Sequence, residues 1–227
     1  MASDSTVQLS TSLPYLFLDA AGREPIAGVW QNGQWLAYQN SAGLAATEGL
    51  FSATDAVLKS ASLGVEDCAG FIFVEGPGSI LGIRIAAMAI RGWKALPGLA
   101  DKPVYATGTL SLAAHLLLRE DPSRQNFSLL ADSRQGRWNV AIVDNGTVPS
   151  GFEEIRGEHL AELPTPRYRI TQRALGAPPV ECLDLPSALL KNDPGVLSVQ
   201  SLLHIVESPD ALNMPGEFSK WEPQRHR

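Results

Sequence analysis

The apolar run Gly70-Phe71-Ile72-Phe73-Val74 passes through Glu75 into Gly76-Pro77-Gly78-Ser79 and then straight into Ile80-Leu81-Gly82-Ile83-Arg84-Ile85. That order demands a strand, a tight corner and a helix with almost no connecting chain. Gly76 and Gly78 permit backbone angles that side chains forbid, Pro77 fixes one φ between them, and Ser79 suits the accepting position at a helix start. The spacing Gly76-x-Gly78-x-x-x-Gly82 differs from the dinucleotide pattern G-x-G-x-x-G. No Lys-Ser or Lys-Thr follows, as a phosphate-binding P-loop requires. The corner is therefore a rigid joint before it is a phosphate cradle.

Before the corner, Tyr15 to Asp19 reads as a short buried strand, followed by Ile26 to Gln31 and Gln34 to Gln39 joined through Asn32-Gly33. Asn-Gly between β-rich runs is a strong hairpin signal. Leu50, Phe51, Thr54, Val57, Leu58 and Ala61 recur with helical spacing, which predicts a helix from about Thr47 to Ser62 with Thr47 as its cap. A strand at Phe71 to Val74, a helix from Ile80 to Leu96 and a strand at Val104 to Ala106 follow. Three antiparallel strands and then alternating helix and strand is the half-domain plan of the actin, hexokinase and sugar-kinase superfamily.

The pattern repeats. Asp19 stands thirteen positions before Asn32, and Asp132 thirteen before Asn145. Each interval holds a strand ending in Asp, a short polar turn, a second strand and Asn-Gly, as a duplicated half-domain would. The expected fold is α/β, two-lobed and actin-like (ribonuclease H-like), with an N-terminal half-domain at 1–107 and a reduced C-terminal one at 108–227. The second half opens with a helix from Leu110 to Leu118 and becomes irregular after Gly151, where Pro164, Pro166, Pro178 and Pro179 interrupt it. A final helix, about Gly195 to Val206, is expected to pack back between the lobes.

The chain has 227 residues, 44% hydrophobic and 19% charged, enough for sizeable cores. A formal net charge of -6 argues against direct grip on nucleic acid, which needs clustered Lys and Arg. Cys68 and Cys182 have no metal-type spacing, which points to a reducing cytoplasm without a disulfide framework. Neither a signal-peptide pattern nor an apolar run of spanning length is present, so no membrane association is expected.

Gly76-Pro77-Gly78-Ser79, then Gly82-Ile83-Arg84-Ile85 and an Ala-rich continuation to Gly92, resembles the G-P-G-S-F-T-G-x-R-I signature of the TsaB (YeaZ) family. The resemblance runs from about Tyr15 to Gly146, with an echo at Phe218-Ser219-Lys220-Trp221. It implies a non-catalytic accessory subunit that binds and activates a TsaD-like catalytic partner in tRNA threonylcarbamoyladenosine modification, touching tRNA only indirectly. It further implies a TsaE-like ATPase as an additional partner, a homodimer when alone, and no cofactor bound alone, with ATP or ADP held at the partner interface. The departures are Ile80-Leu81 in place of Phe-Thr, and Ser41 to Ala46 in place of a Glu/His-rich opening.

Asp19 is followed by Ala20-Ala21-Gly22 and Asp132 by Ser133-Arg134-Gln135-Gly136, neither of which offers the hydroxyl- and glycine-rich loop that neutralises a triphosphate. Both acids read as a vestigial nucleotide site or as caps of their own turns. His115, His159, His204 and His226 form no H-E-x-x-H or H-x-x-x-H pair, so no zinc or iron site is expected. Ser79 lacks the G-x-S-x-G elbow and a sequence-evident base.

The candidate partner face comprises Leu50, Phe51, Thr54, Val57 and Leu58 of the first helix with Ile80, Leu81, Ile83, Arg84, Ala87 and Arg91 of the second. The second helix is apolar nearly all round. Arg84 and Arg91 lie seven apart on one side. The alternatives are a degenerate sugar-kinase-like ATP-binding phosphotransferase, or a self-associating structural homologue without a tRNA role.

Overall fold

The computed structural model describes residues 9–10, 12–170, 180–185, 189–199 and 201–206. The first sheet is built from β1 (Tyr15–Asp19), β2 (Ile26–Gln31), β3 (Gln34–Asn40), β4 (Gly70–Gly76) and β5 (Val104–Gly108). β1 pairs antiparallel with β2 and parallel with β4, which pairs parallel with β5. Parallel neighbours need a crossover, and helices α1 (Ala46–Ala61) and α2 (Ile80–Lys94) supply the two required here. The spatial order is β3-β2-β1-β4-β5, extended at the β5 edge by β11 (His204–Ile205), which runs antiparallel to β5.

The second sheet repeats this plan. β6 (Phe127–Asp132) pairs antiparallel with β7 (Arg137–Val143), which pairs antiparallel with β8 (Glu153–Arg156). β9 (Arg167–Ile170) and β10 (Leu183–Asp184) add parallel strands, giving the order β8-β7-β6-β9-β10. The two Asn-Gly turns also correspond. Asn32 and Gly33 have φ of 52° and 75°, and Asn145 and Gly146 have 48° and 72°. Both are two-residue turns with positive φ throughout, the geometry Asn-Gly favours. The fold is thus two-lobed and actin-like, and reduction of the second lobe shows in its β8-to-β9 crossover, a six-residue 3-10 helix at Gly157–Glu162.

Central strands buried on both faces explain the continuous apolar runs. Leu16, Leu18, Phe71 and Phe73 face α1 and α2. Tyr15, Phe17, Ile72 and Val74 face the other way, onto α3 (Thr109–Glu120) and the C-terminal residues. α3 lies between the sheets: Leu112 and Leu116 pack on the first, while Leu110, Ala113, Ala114 and Leu117 pack on the second.

Two expectations are corrected. The first helix starts at Ala46 with Ala45 in the capping position and no side-chain cap, so Thr47 lies inside its first turn. There the helix is placed by contact instead: a methyl on Gly49 would lie 3.1 Å from Pro25 and 3.2 Å from Ser41. The expected final helix from Gly195 to Val206 is a 3-10 helix, Pro194–Ser198, followed by β11. A regular helix would turn its backbone bonds inward; here Val206 N–H donates to Val104 O at 2.9 Å, extending the sheet.

Beyond these points, part of the chain after 107 returns to the first sheet. Residues 189–199 and 201–206, beginning with α4 (Leu189–Asn192), strap the first sheet, where Leu190, Val196, Leu197, Leu202 and Leu203 are buried. The indole N–H groups of Trp30 and Trp35 donate to Pro194 O at 2.8 Å and Leu190 O at 3.0 Å, and Arg119 pairs with Asp193 at 2.6 Å. The C-terminal echo at 218–221 and His226 lie outside the described residues. Among the described residues, no helix is long and apolar enough to cross a membrane.

Candidate functional site

The corner after β4 closes onto the turn after β1. Ser79 N–H donates to Ala21 O at 2.7 Å, and Ser79 Oγ accepts from Gly82 N–H at 3.3 Å, the expected cap. Gly76 has φ +110°, a conformation side chains rarely adopt. A Cβ on Gly78 would stand 2.4 Å from Ala21 O, and one on Gly82 1.9 Å from Ala20 O. These glycines are spent on letting α2 press against the Ala20-Ala21 backbone. On that side the corner is closed by protein, while Gly76, Pro77 and Gly78 also line the cleft described below.

Asp19 ends β1 inside that packing. Its Oδ1 accepts from Ala21 N–H at 2.9 Å, and burial pushes its pKa up to about 6 even though the Ala21 and Gly22 amides pull it down. Tyr38, half-buried beside the Asp19 charge, is pushed up to about 12 by desolvation first and that charge second. Asp132 ends β6 opposite Trp138. The pair expected as a vestigial nucleotide site is not brought to a common cavity with the corner: neither acid lines the cleft described next.

That cleft, about 680 Å³, lies between the lobes at the carboxyl ends of β4 and β5. This is where open α/β sheets present ligand sites. Its walls are the starts of α2 and α3, the connection 148–152 between β7 and β8, and the strap at 201–204. Two histidines meet in it. His115 Nδ1 lies 2.8 Å from Ser111 O. A carbonyl only accepts, so Nδ1 carries the proton and Nε2 is left as an acceptor, 3.4 Å from Ser201 Oγ. Burial lowers the His115 pKa, and the Ser111 bond only partly opposes it. His204 Nε2 lies 3.4 Å from Glu75 Oε2, and that contact raises its pKa.

These partners escaped sequence reasoning because Ser201 lies 86 positions from His115, and no local spacing signals such a meeting. His159 stands apart, beside Glu158 and Glu162 in the second lobe. Among the described residues, no three His, Cys, Asp or Glu side chains cluster closely enough to hold a metal.

The expected partner face divides. Leu50, Thr54, Val57, Ile83 and Ala87 are buried within the chain, and Leu58 and Ile80 are half-buried. They build the lobe's own core, because α2 packs flat against α1 and the sheet. What remains outside is one stripe: Leu81, 65% exposed, Met88, 63% exposed, with Arg84 and Arg91. Phe51, also exposed, lies apart from it: its ring meets Trp93 at 6.4 Å, on the side of α2 that packs against α1. Met88 belongs to the all-round apolar pattern of this helix but not to the candidate partner face, although its place one turn from Arg84 and Arg91 signals the same side.

Sheet order, paired hairpins and interlobe cleft together define a two-lobed protein of the actin-like α/β class. Among solved structures, the chain is similar to YeaZ from Pseudomonas aeruginosa, with TM-score 0.58 and 16% identity over 83% of this chain and 90% of that one. It is equally similar, at TM-score 0.58 and 20% identity over 82% and 89%, to a protein described as resembling peptidase YeaZ from Pseudomonas aeruginosa. No family model matches the sequence, and no curated protein does.

Proposed function

We propose that the chain is an accessory subunit that docks on a TsaD-like catalytic partner in tRNA threonylcarbamoyladenosine modification and takes no part in the transfer chemistry. The observation that carries this reading is the outer stripe of α2. Leu81 and Met88 form an exposed apolar strip one helical side wide, edged by Arg84 and Arg91. Apolar patches with polar rims mark association surfaces, and arginine is the cation that interface carboxylates accept best. The Gly-Pro-Gly-Ser corner supports the same reading, since its glycines fix the pitch of α2 and hence where the stripe points. The net charge of -6 leaves tRNA to the partner. Alone, the same stripe pairs two copies of the chain.

The test is reconstitution with the TsaD-like subunit of the same genome, read by sedimentation and by modification of tRNA. Wild type should co-sediment and restore modification. Leu81→Glu and Met88→Glu should keep their circular dichroism and lose both, since a charge at a packed seam is desolvated without a partner. Unweakened association of both variants would overturn the proposal.

A further inference from the structure

We propose that Ser201 is an activated nucleophile, with His115 as its base, that accepts the acyl group of small carboxylic esters bound in the interlobe cleft and passes it to water. The inference does not depend on the docking stripe. Three features of an activated serine converge. A base stands within reach of the hydroxyl, a third group fixes the base's tautomer, and the hydroxyl opens on a cavity of ligand size. The Ser111 carbonyl is the orienting group, holding Nδ1–H so that the lone pair of Nε2 faces Ser201 Oγ. Burial keeps this imidazole neutral at neutral pH, the state a base requires.

In the acylation step, Ser201 Oγ bonds to the ester carbonyl carbon while its proton passes to His115 Nε2. The tetrahedral adduct then expels the alcohol, which takes that proton. Water attacks the acyl-serine, again through His115, and returns the acid and free Ser201. His204 lines the same cleft with its Nε2 held by Glu75, and its other ring nitrogen is the donor assigned to the developing oxyanion in this proposal. Leu110, Val148 and Phe152 give the acyl chain an apolar wall.

The experiment uses the full chain, a fluorophosphonate probe and p-nitrophenyl butyrate. Labelling should add one probe, mapped to Ser201 by peptide mass, and Ser201→Ala should abolish both label and ester turnover while the thermal unfolding curve is retained. His115→Gln should slow labelling on the order of 100-fold without removing the site. The wild-type rate should climb as His115 loses its proton and level off by neutral pH. The other ionisable groups facing this pair are Glu75, Arg84 and His204 in the cleft and Arg119 one turn along α3. No label, a label on another residue, or an unchanged rate in His115→Gln would each overturn the proposal.

Discussion

Gly82 and Gly92 stand ten positions apart on α2 and differ in everything a methyl group would meet. At Gly82 it would strike Ala20 O at 1.9 Å, a backbone atom that cannot swing aside, whereas at Gly92 nothing lies within 4 Å. Gly82→Ala should therefore destabilise the protein by about 1–3 kcal/mol, the usual cost of overpacking. Gly92→Ala should stabilise it by about 0.5–1 kcal/mol through helix propensity and a less flexible unfolded chain. Urea midpoints of the two variants moving in the same direction would contradict the close packing of the corner. Asp19 makes a second prediction at this scale. Its folded pKa, about 6, exceeds its unfolded value near 3.8, so between those values the folded state holds the proton more tightly. Stability from this group is present at low pH and is lost as pH rises through about 6. The loss above that is on the order of 3 kcal/mol. Asp19→Asn, whose amide oxygen can still accept from Ala21 N–H, should be the more stable protein at pH 7 and lose its advantage near pH 4. Equal pH profiles of unfolding would remove the account.

α2 is one element with two environments, and two sides of its first turn report on them separately. Ile83 is 4% exposed and packs with Ala21, Ile72 and Val74. Leu81 is 65% exposed. Ile83→Glu should unfold the first lobe, since an unpaired buried carboxylate costs several kcal/mol. Leu81→Glu should leave the unfolding midpoint within about 0.5 kcal/mol of wild type. Circular dichroism melts decide it: a folded Ile83→Glu would mean that α2 does not seat as described. The all-round apolar pattern of this helix was legible in the sequence, but which side faced inward was not. Ile83 and Leu81 are both apolar, and only the position of the sheet tells them apart.

The whole molecule is closed by its strap. Without residues after Leu185, the face formed by Tyr15, Phe17, Trp30 and Ile72 would lose the cover of Leu190, Val196, Leu197, Leu202 and Leu203. A chain ended at Leu185 should bind the dye 1-anilinonaphthalene-8-sulfonate and lose cooperative unfolding, since an exposed sheet face of that size has no substitute in water. Sharp, unchanged urea unfolding of the shortened chain would refute the closing role. The strap also brings Ser201 and His204 to the cleft, so the same segment completes both core and candidate site.

What the sequence determined by itself is local or periodic. The Asn-Gly turns require positive φ at both positions, the Gly-Pro-Gly-Ser corner turns a strand into a capped helix, and thirteen-residue spacing repeats the hairpin in both lobes. Steric rules acting over a few residues carry that information, so it can be read in one pass. What the tertiary structure decided depends on distant parts of the chain. Asp19 is half-buried because α2 closes over its turn, and His115 meets Ser201 because the strap returns to the first sheet. Likewise, Leu197 is core because α3 covers only part of that sheet face and the strap covers the rest. Burial and hydrogen-bond partnership are properties of position in space, and two residues 86 apart acquire them only when the whole fold brings them together.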